Sequence, residues 1–67
     1  MTKDEAIQEL RNGKTLTHRF FSDDEAIRQP RAEIGEYEFE DGVKTSATMF
    51  WHFRQQEYWN DGWEEKK

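Results

Sequence analysis

Four closely spaced carboxylates are the side chains of this sequence that could do chemistry together. Glu36, Glu38 and Glu40 alternate with other residues, and Asp41 follows directly. In a β-strand the three glutamates would share one face, with neighbours about 6.6–6.8 Å apart. Such a row could imitate the charges of a nucleic-acid backbone and occupy a basic nucleic-acid-binding site. The alternative is the ordinary solvated face of an antiparallel sheet, where polar residues also alternate.

The two histidines form no recognisable catalytic or metal-binding pattern. His18 lies between apolar residues at strand spacing and could act as a general base near neutral pH. No nucleophile or orienting residue accompanies it, so a hydrogen-bonded, half-buried histidine is the favoured interpretation. A metal site that joins His18 and His52 to Asp23 or Asp24 is a weaker alternative, and the two aspartates could instead extend the acidic row. The chain has no cysteine, which excludes a thiolate zinc site and a cysteine nucleophile. Since no catalytic constellation is visible either, we expect no catalytic residue, metal or cofactor.

Aromatic residues are concentrated towards the C-terminal end of the sequence. Residues 49–64 hold six of the ten aromatic side chains, including all three tryptophans. Each buried aromatic removes about 150–250 Å² from water, so these residues must form most of the core of so short a chain. Trp and Tyr are also frequent in protein-binding hot spots. We expect one or two aromatics to remain exposed for a partner, with Phe21 and Trp63 as candidates.

The charge balance of the 67 residues is acidic. Fifteen Asp and Glu against ten Lys and Arg give a net charge of −5. This balance argues against direct binding to nucleic acid, whose phosphates are contacted by Lys and Arg, and it suits a protein partner with a basic surface. We therefore expect the acidic residues and the two candidate exposed aromatics to contact the partner. These residues are Glu36, Glu38, Glu40, Asp41, Asp23, Asp24, Phe21 and Trp63.

The composition also predicts where the protein resides and how it is divided. No apolar run approaches the roughly 18 residues of a membrane span, and the N-terminal segment lacks the apolar region of a signal peptide. We expect one cytoplasmic domain over residues 1–67, without membrane contact.

The first half of the chain alternates between helical and strand patterns. Thr2 and Glu5 match a capping box, which predicts an N-terminal helix that ends at Gly13. Alternation then predicts a strand over 14–21. In that strand one set of side chains faces the core and Phe21 faces away; the core set is Leu16, His18 and Phe20. A second capping box at Ser22 predicts a single helical turn through 28, which Pro30 ends.

The second half predicts strands around an aromatic helix. A strand over 31–40 has a bulge at Gly35, after which Tyr37 and Phe39 face inward. Asp41-Gly42 predicts a hairpin into a strand over 43–45. Ser46 caps a helix over 47–55, and a last strand follows over 58–64. The fold class is α+β, a short antiparallel sheet packed against the N-terminal helix and the aromatic-rich helix. Because that helix is apolar over half its circumference, we expect a homodimer.

Two groups of residues together carry a resemblance. The opening holds Glu5-Ala6-Ile7, Leu10, Asn12-Gly13-Lys14 and Thr17-His18-Arg19-Phe20-Phe21, and the later run holds Glu40-Asp41-Gly42, Phe50-Trp51, Arg54, Trp59 and Asp61-Gly62-Trp63. Both groups resemble short uncharacterised accessory proteins of bacteriophages and prophages. The opening is also similar to Thoeris anti-defence proteins, which sequester a signalling nucleotide.

This resemblance implies two alternative functions. The first is a small anti-defence protein that binds and inhibits a bacterial host protein, for example a CRISPR or restriction component. The second is a nucleotide-binding sponge, in which Arg19, Arg31 or Arg54 would act beside a stacked aromatic ring. The first is the favoured interpretation because it also uses the acidic charge.

Overall fold

A five-stranded antiparallel sheet and two short helices build the fold, as a computed structural model describes it for residues 1–66. The elements in chain order are α1 (Lys3–Arg11), β1 (Leu16–His18), β2 (Ile27–Arg28), β3 (Glu36–Phe39), β4 (Lys44–Ser46), α2 (Ala47–His52), a 3-10 turn (Glu57–Asn60) and β5 (Trp63–Glu65). The strands lie in the order β4-β3-β2-β1-β5. The predicted α+β class, with an antiparallel sheet and two helices, is confirmed.

The N-terminal helix forms as its end signals predict. The Glu5 backbone N–H donates to the Thr2 hydroxyl oxygen at 3.2 Å, and the Thr2 N–H donates to the Glu5 carboxylate at 2.8 Å. The hydrogen bond from the Thr2 backbone N–H lowers the pKa of the Glu5 carboxyl, and the Thr2 side chain adds to the shift. Gly13 takes a positive φ of 86° just beyond the helix. Ala6 and Leu10 are buried, so α1 is held by the docking of its apolar stripe.

The first strand ends earlier than the alternation predicts. Its last residue is His18, whose carbonyl oxygen accepts the Phe21 N–H at 2.8 Å across a tight turn. Beyond this turn, the side chains of Phe20 and Phe21 have the opposite orientations from those predicted. Phe20, predicted in the core, is 59% exposed, whereas Phe21, predicted on the opposite face, packs against the core.

The predicted helical turn after Ser22 is wrong beyond Glu25. The Glu25 N–H bonds to the Ser22 carbonyl at 3.0 Å, so one turn closes. The chain then enters β2, where Ile27 lies opposite Leu16 on one side and Phe39 on the other. Pairing on both sides and full burial of Ile27 outweigh the weak preference of a very short helix.

The predicted strand over 31–40 is present only in its second half. The buried Gln29 side-chain amide donates to three carbonyl groups, of Arg31, Ala32 and Ile34, at 3.3, 3.3 and 2.8 Å. These bonds fold 31–35 into a turn, so Gly35 precedes β3 and is no bulge. Within β3, Tyr37 is buried and Phe39 packs against the core, as expected.

The C-terminal third also departs from its predicted boundaries. Helix α2 ends at His52, three residues before the predicted end. Residues 57–60 form the 3-10 turn, and β5 starts only at Trp63. Gly62, with φ of 88°, separates the turn from the strand. The predicted strand over 58–64 is therefore wrong before Trp63, since Tyr58 and Trp59 lie in the 3-10 turn.

One face of the sheet and both helices enclose the core. Its fully or almost fully buried apolar residues are Ala6, Leu10, Leu16, Ile27, Tyr37, Phe50 and Trp63. The Trp51 indole N–H donates to the Tyr37 hydroxyl at 3.0 Å. Burial raises the pKa of that hydroxyl, and the hydrogen bond from Trp51 partly opposes the shift.

Candidate partner-binding surface

Trp63 lies at the centre of the aromatic cluster. Its ring centroid is 4.6 Å from that of His18, 5.3 Å from Trp51 and 5.5 Å from Phe21. The indole N–H donates to the Trp59 carbonyl at 2.8 Å. Because the side chain is fully buried, it cannot contact a partner in the folded protein, and the predicted surface role of Trp63 is wrong.

Phe21 has also moved inward relative to the prediction. It is partly buried against the core, with its ring 5.5 Å from Trp63 and 5.9 Å from Trp59. The exposed aromatic of this turn is instead Phe20, the residue before it.

Two other aromatic side chains form an exposed pair, here called the aromatic surface (Phe20 and Tyr58). Their rings meet edge to face, with centroids 5.0 Å apart, and are 59% and 44% exposed. The Arg19 guanidinium lies 5.5 Å from the Phe20 ring centroid. Phe20 comes from the turn after β1 and Tyr58 from the 3-10 turn, so two distant segments build this surface.

The buried imidazole of His18 lies beneath the aromatic surface. Its ring centroid is 5.5 Å from Phe20 and 4.4 Å from the half-buried Trp59. Only 2% of His18 is exposed, and both ring nitrogens have backbone partners near the aromatic surface. This agrees with the interpretation of a hydrogen-bonded histidine.

The predicted acidic row is interrupted at Glu38, whose carboxylate is paired with a cation. Glu36 and Glu38 do share the outer face of β3, opposite Ser46 and Lys44 of β4. The Glu38 carboxylate accepts the Arg28 Nε–H at 2.9 Å from the neighbouring strand. Arg28 therefore neutralises this carboxylate, and Lys44 is its register partner in β4.

Two further acidic residues of the predicted site, Glu40 and Asp41, accept hydrogen bonds from backbone N–H groups. The Glu40 carboxylate accepts the Ala26 N–H at 3.0 Å, and Asp41 accepts the Val43 N–H at 3.0 Å within its hairpin. Asp23 and Asp24 are exposed in the turn before β2, close along the chain to the Ala26 contact. The sheet thus brings much of the acidic set together, but several of its carboxylates stabilise this fold itself.

Arg54 is enclosed by aromatic rings. Its guanidinium lies 4.0 Å from the Phe50 centroid, 5.3 Å from Trp59 and 5.9 Å from Phe21. Its buried Nε finds no hydrogen-bond partner among residues 1–66. Burial lowers the pKa of this guanidinium, and the charge of Glu25 opposes the shift. Arg54 thus packs as part of the aromatic cluster, whereas Arg19 stands beside an exposed ring.

The aromatic surface could not be predicted from the sequence because it depends on the turn after His18, which no turn-forming residue marks. No residue between 18 and 21 is a Gly, Pro, Asn or Asp, the types that usually mark turns. The pairing of Arg28 with Glu38 was also invisible, because it depends on the register of two strands predicted with other boundaries.

Other kinds of site find little support in the described part of the chain. Within residues 1–66, no group of three or more His, Cys, Asp or Glu side chains is placed to hold a metal ion. In the same range no helix has the length and apolar character required to cross a membrane. A scan against protein-family models and searches of curated proteins and of solved structures find no match to this chain.

Proposed function

We propose that this protein is a small interaction module, rather than an enzyme, that binds a bacterial host protein and inhibits it. It would act in the cytoplasm of the host cell, as an anti-defence protein. The observation that carries the proposal is the exposed edge-to-face pair of Phe20 and Tyr58. The resemblance of the chain to phage accessory proteins supports the choice of a host protein as the partner.

The aromatic surface has the properties of a binding hot spot. Large aromatic side chains supply much of the free energy of association when a partner buries them. The Phe20 ring also meets the half-buried Trp59 ring edge to face, with centroids 6.2 Å apart. The pair therefore rests on the core and is largely fixed before binding. A surface that is already ordered loses less conformational entropy when the complex forms.

Charge favours a basic partner around this pair. The chain carries a net charge of −5, and the exposed Glu57 and Asp61 flank Tyr58 in the 3-10 segment. Complementary charge mainly accelerates encounter and is screened by salt. We therefore infer a partner whose contact surface combines an apolar centre with Lys and Arg around it.

The test replaces both exposed rings and compares the variant with a matched control. Phe20→Ala/Tyr58→Ala should weaken binding by at least about tenfold, the effect of losing one moderate hot-spot contact. Val43→Ala, which truncates another exposed apolar side chain (58% exposed), should bind like the wild type. Partners are first captured from bacterial lysate; the purified partner is then titrated by calorimetry and assayed for inhibition, at low micromolar concentration.

Two results would contradict the proposal. One is a purified partner that binds the double variant as tightly as the wild type. The other is binding that survives in the double variant but is lost in Glu36→Lys/Glu40→Lys, which would assign the contact to the acidic row. Melting temperatures of all variants show whether a lost interaction reflects a lost fold.

A second candidate function rests on the position of Arg19. Its guanidinium beside the exposed Phe20 ring could hold the phosphate of a nucleotide whose base stacks on that ring. If the protein is such a sponge, cyclic or ADP-ribose-like nucleotides should raise its melting temperature and Arg19→Ala should remove the effect. Nucleotide stabilisation without any protein partner would favour this alternative.

We also propose that the protein self-associates through α2. Met49 and Phe53 are both exposed and lie one helical turn apart, so they form an apolar strip without a partner in the single chain. We expect light scattering at high micromolar concentration to give the mass of a dimer. Met49→Glu should give a monomer, and Phe20→Ala/Tyr58→Ala should remain a dimer. A monomer mass for the wild type at that concentration would contradict this proposal.

A further inference from the structure

One buried ring connects the two segments that carry the aromatic surface. The His18 Nδ1 lies 3.1 Å from the Phe20 backbone nitrogen. Its Nε2 lies 3.1 Å from the Tyr58 carbonyl oxygen and 2.6 Å from the Asp61 carbonyl oxygen. His18 therefore bridges the turn after β1 and the 3-10 segment, directly below the exposed pair.

These partners fix which nitrogen of His18 carries the proton. The Phe20 backbone N–H can only donate, so Nδ1 must accept and cannot be protonated. The carbonyl oxygens of Tyr58 and Asp61 can only accept, so Nε2 must carry the hydrogen. Only the neutral ring with its proton on Nε2 satisfies all three contacts. A second proton would place an Nδ1–H against the Phe20 N–H.

We propose that His18 is a pH-sensitive latch for the aromatic surface. The neutral ring holds the Phe20 backbone to the 3-10 segment and keeps the two exposed rings in contact. Protonation on Nδ1 releases the Phe20 N–H, so the turn loses one of its hydrogen bonds and the position of the Phe20 ring beside Tyr58 loosens, while the Phe21 N–H bond to the His18 carbonyl remains. This inference rests on the proposed function, because it makes partner binding stronger at neutral pH than at mildly acidic pH.

Arg19, Arg54 and Asp61 supply the charged groups near the ring. His18 Nε2 and Arg19 Nε lie 3.1 and 2.9 Å from the position that a Cβ on Gly62 would take, so a guanidinium lies near the ring. The Arg54 guanidinium lies over Trp59, which contacts His18. The Asp61 carboxylate is held elsewhere, by the Gly62 N–H at 2.8 Å and the α-amino group of Met1 at 3.8 Å.

Neighbouring rings keep the response local. Trp59 and Trp63 lie 4.4 and 4.6 Å from the His18 ring, and aromatic faces attract cations. The carbonyl partners of Nε2 are also retained when the ring is charged. The protonated ring thus keeps its place in the core, and the contact that is lost is the one with the Phe20 N–H.

Nuclear magnetic resonance on the free 67-residue chain tests the latch without any partner. Histidines titrate between about pH 8 and 5, and ring ¹⁵N shifts report the protonation of His18 and His52 separately. As His18 gains its proton, the protection of the Phe20 amide against hydrogen exchange should fall about tenfold, the loss expected for one hydrogen bond. The amide of Ile27, in the central strand β2, should keep its protection.

Two variants separate the latch from other effects of pH. His18→Gln can offer a donor and an acceptor but does not titrate, so the response of the Phe20 amide should disappear. His52→Gln removes the exposed histidine of α2 and should leave the response unchanged. If His18→Gln fails to fold, the wild-type titration alone decides.

Two outcomes would overturn the latch. A Phe20 amide that stays protected while His18 is protonated removes the proposed mechanism. Simultaneous loss of protection at Phe20 and Ile27 shows acid unfolding instead of a local release. Neither result bears on whether a partner binds at neutral pH, so failure of the latch is distinguishable from failure of the proposed function.

Discussion

Trp63→Ala is expected to unfold the protein at room temperature. The side chain is fully buried and contacts rings from four other elements or turns. Truncation of a buried Trp to Ala costs about 3–5 kcal/mol, and the Trp59 carbonyl loses its hydrogen bond as well. A domain of this length is stable by only about 3–10 kcal/mol, so the loss is comparable to the whole.

Circular dichroism with thermal and urea unfolding provides the measurement. Val43→Ala is the control, because it truncates an apolar side chain that is mostly exposed, and it should melt close to the wild type. Trp51→Ala should fall between them, since Trp51 is only partly buried but donates to the Tyr37 hydroxyl. A cooperative transition for Trp63→Ala within a few degrees of the wild type would show that the core does not depend on this ring.

Gly62→Ala is expected to be the most damaging substitution among the glycines that have a positive φ. Gly62 has φ of 88°, which L-residues rarely adopt. An added Cβ would lie 2.9 Å from Arg19 Nε and 3.1 Å from His18 Nε2, so the Arg19 side chain must move and the buried His18 ring must shift slightly. Backbone strain and the close contact together predict a loss of about 2–4 kcal/mol in the free energy of unfolding.

Gly13→Ala separates the two causes. Gly13 has nearly the same φ, 86°, but an added Cβ there meets no atom within 4 Å. Its substitution should therefore cost only the backbone term, about 1–2 kcal/mol. Urea unfolding of both variants gives the difference directly. Equal losses at the two positions would mean that the space beside Gly62 is not restrictive, contrary to the geometry.

The elements that could be predicted from the sequence are those specified by neighbouring residues. Helix α1 has its capping box, its apolar stripe and a terminal glycine within a dozen residues. The Asp41-Gly42 turn joins β3 and β4, whose pairing is local. By contrast, β2 has only two residues, and its strand conformation is imposed by partners on both sides. A local pattern of Asp, Glu and Ala cannot reveal that.

The candidate site was predictable in type but not in position. Composition indicated that one or two aromatics would be surplus to the core, and the structure exposes three, Phe20, Phe53 and Tyr58. Which rings these are depends on where β1 ends, since a strand that stops three residues early, at His18, exchanges the environments of Phe20 and Phe21. Likewise, Glu38 belonged to the expected acidic face, but its neutralisation by Arg28 required the register of β2 on β3.

The order of the strands has a consequence for how the chain acquires its structure. Strands β1 to β4 follow one another across the sheet, so each can pair with the one just made. Strand β5 instead closes beside β1, which joins residue 63 to residue 18 and brings the central tryptophan with it. Long-range closure of this kind is the slow step in small β-rich domains. During synthesis, the core beside the first four strands therefore stays incomplete until Trp63 has left the ribosome.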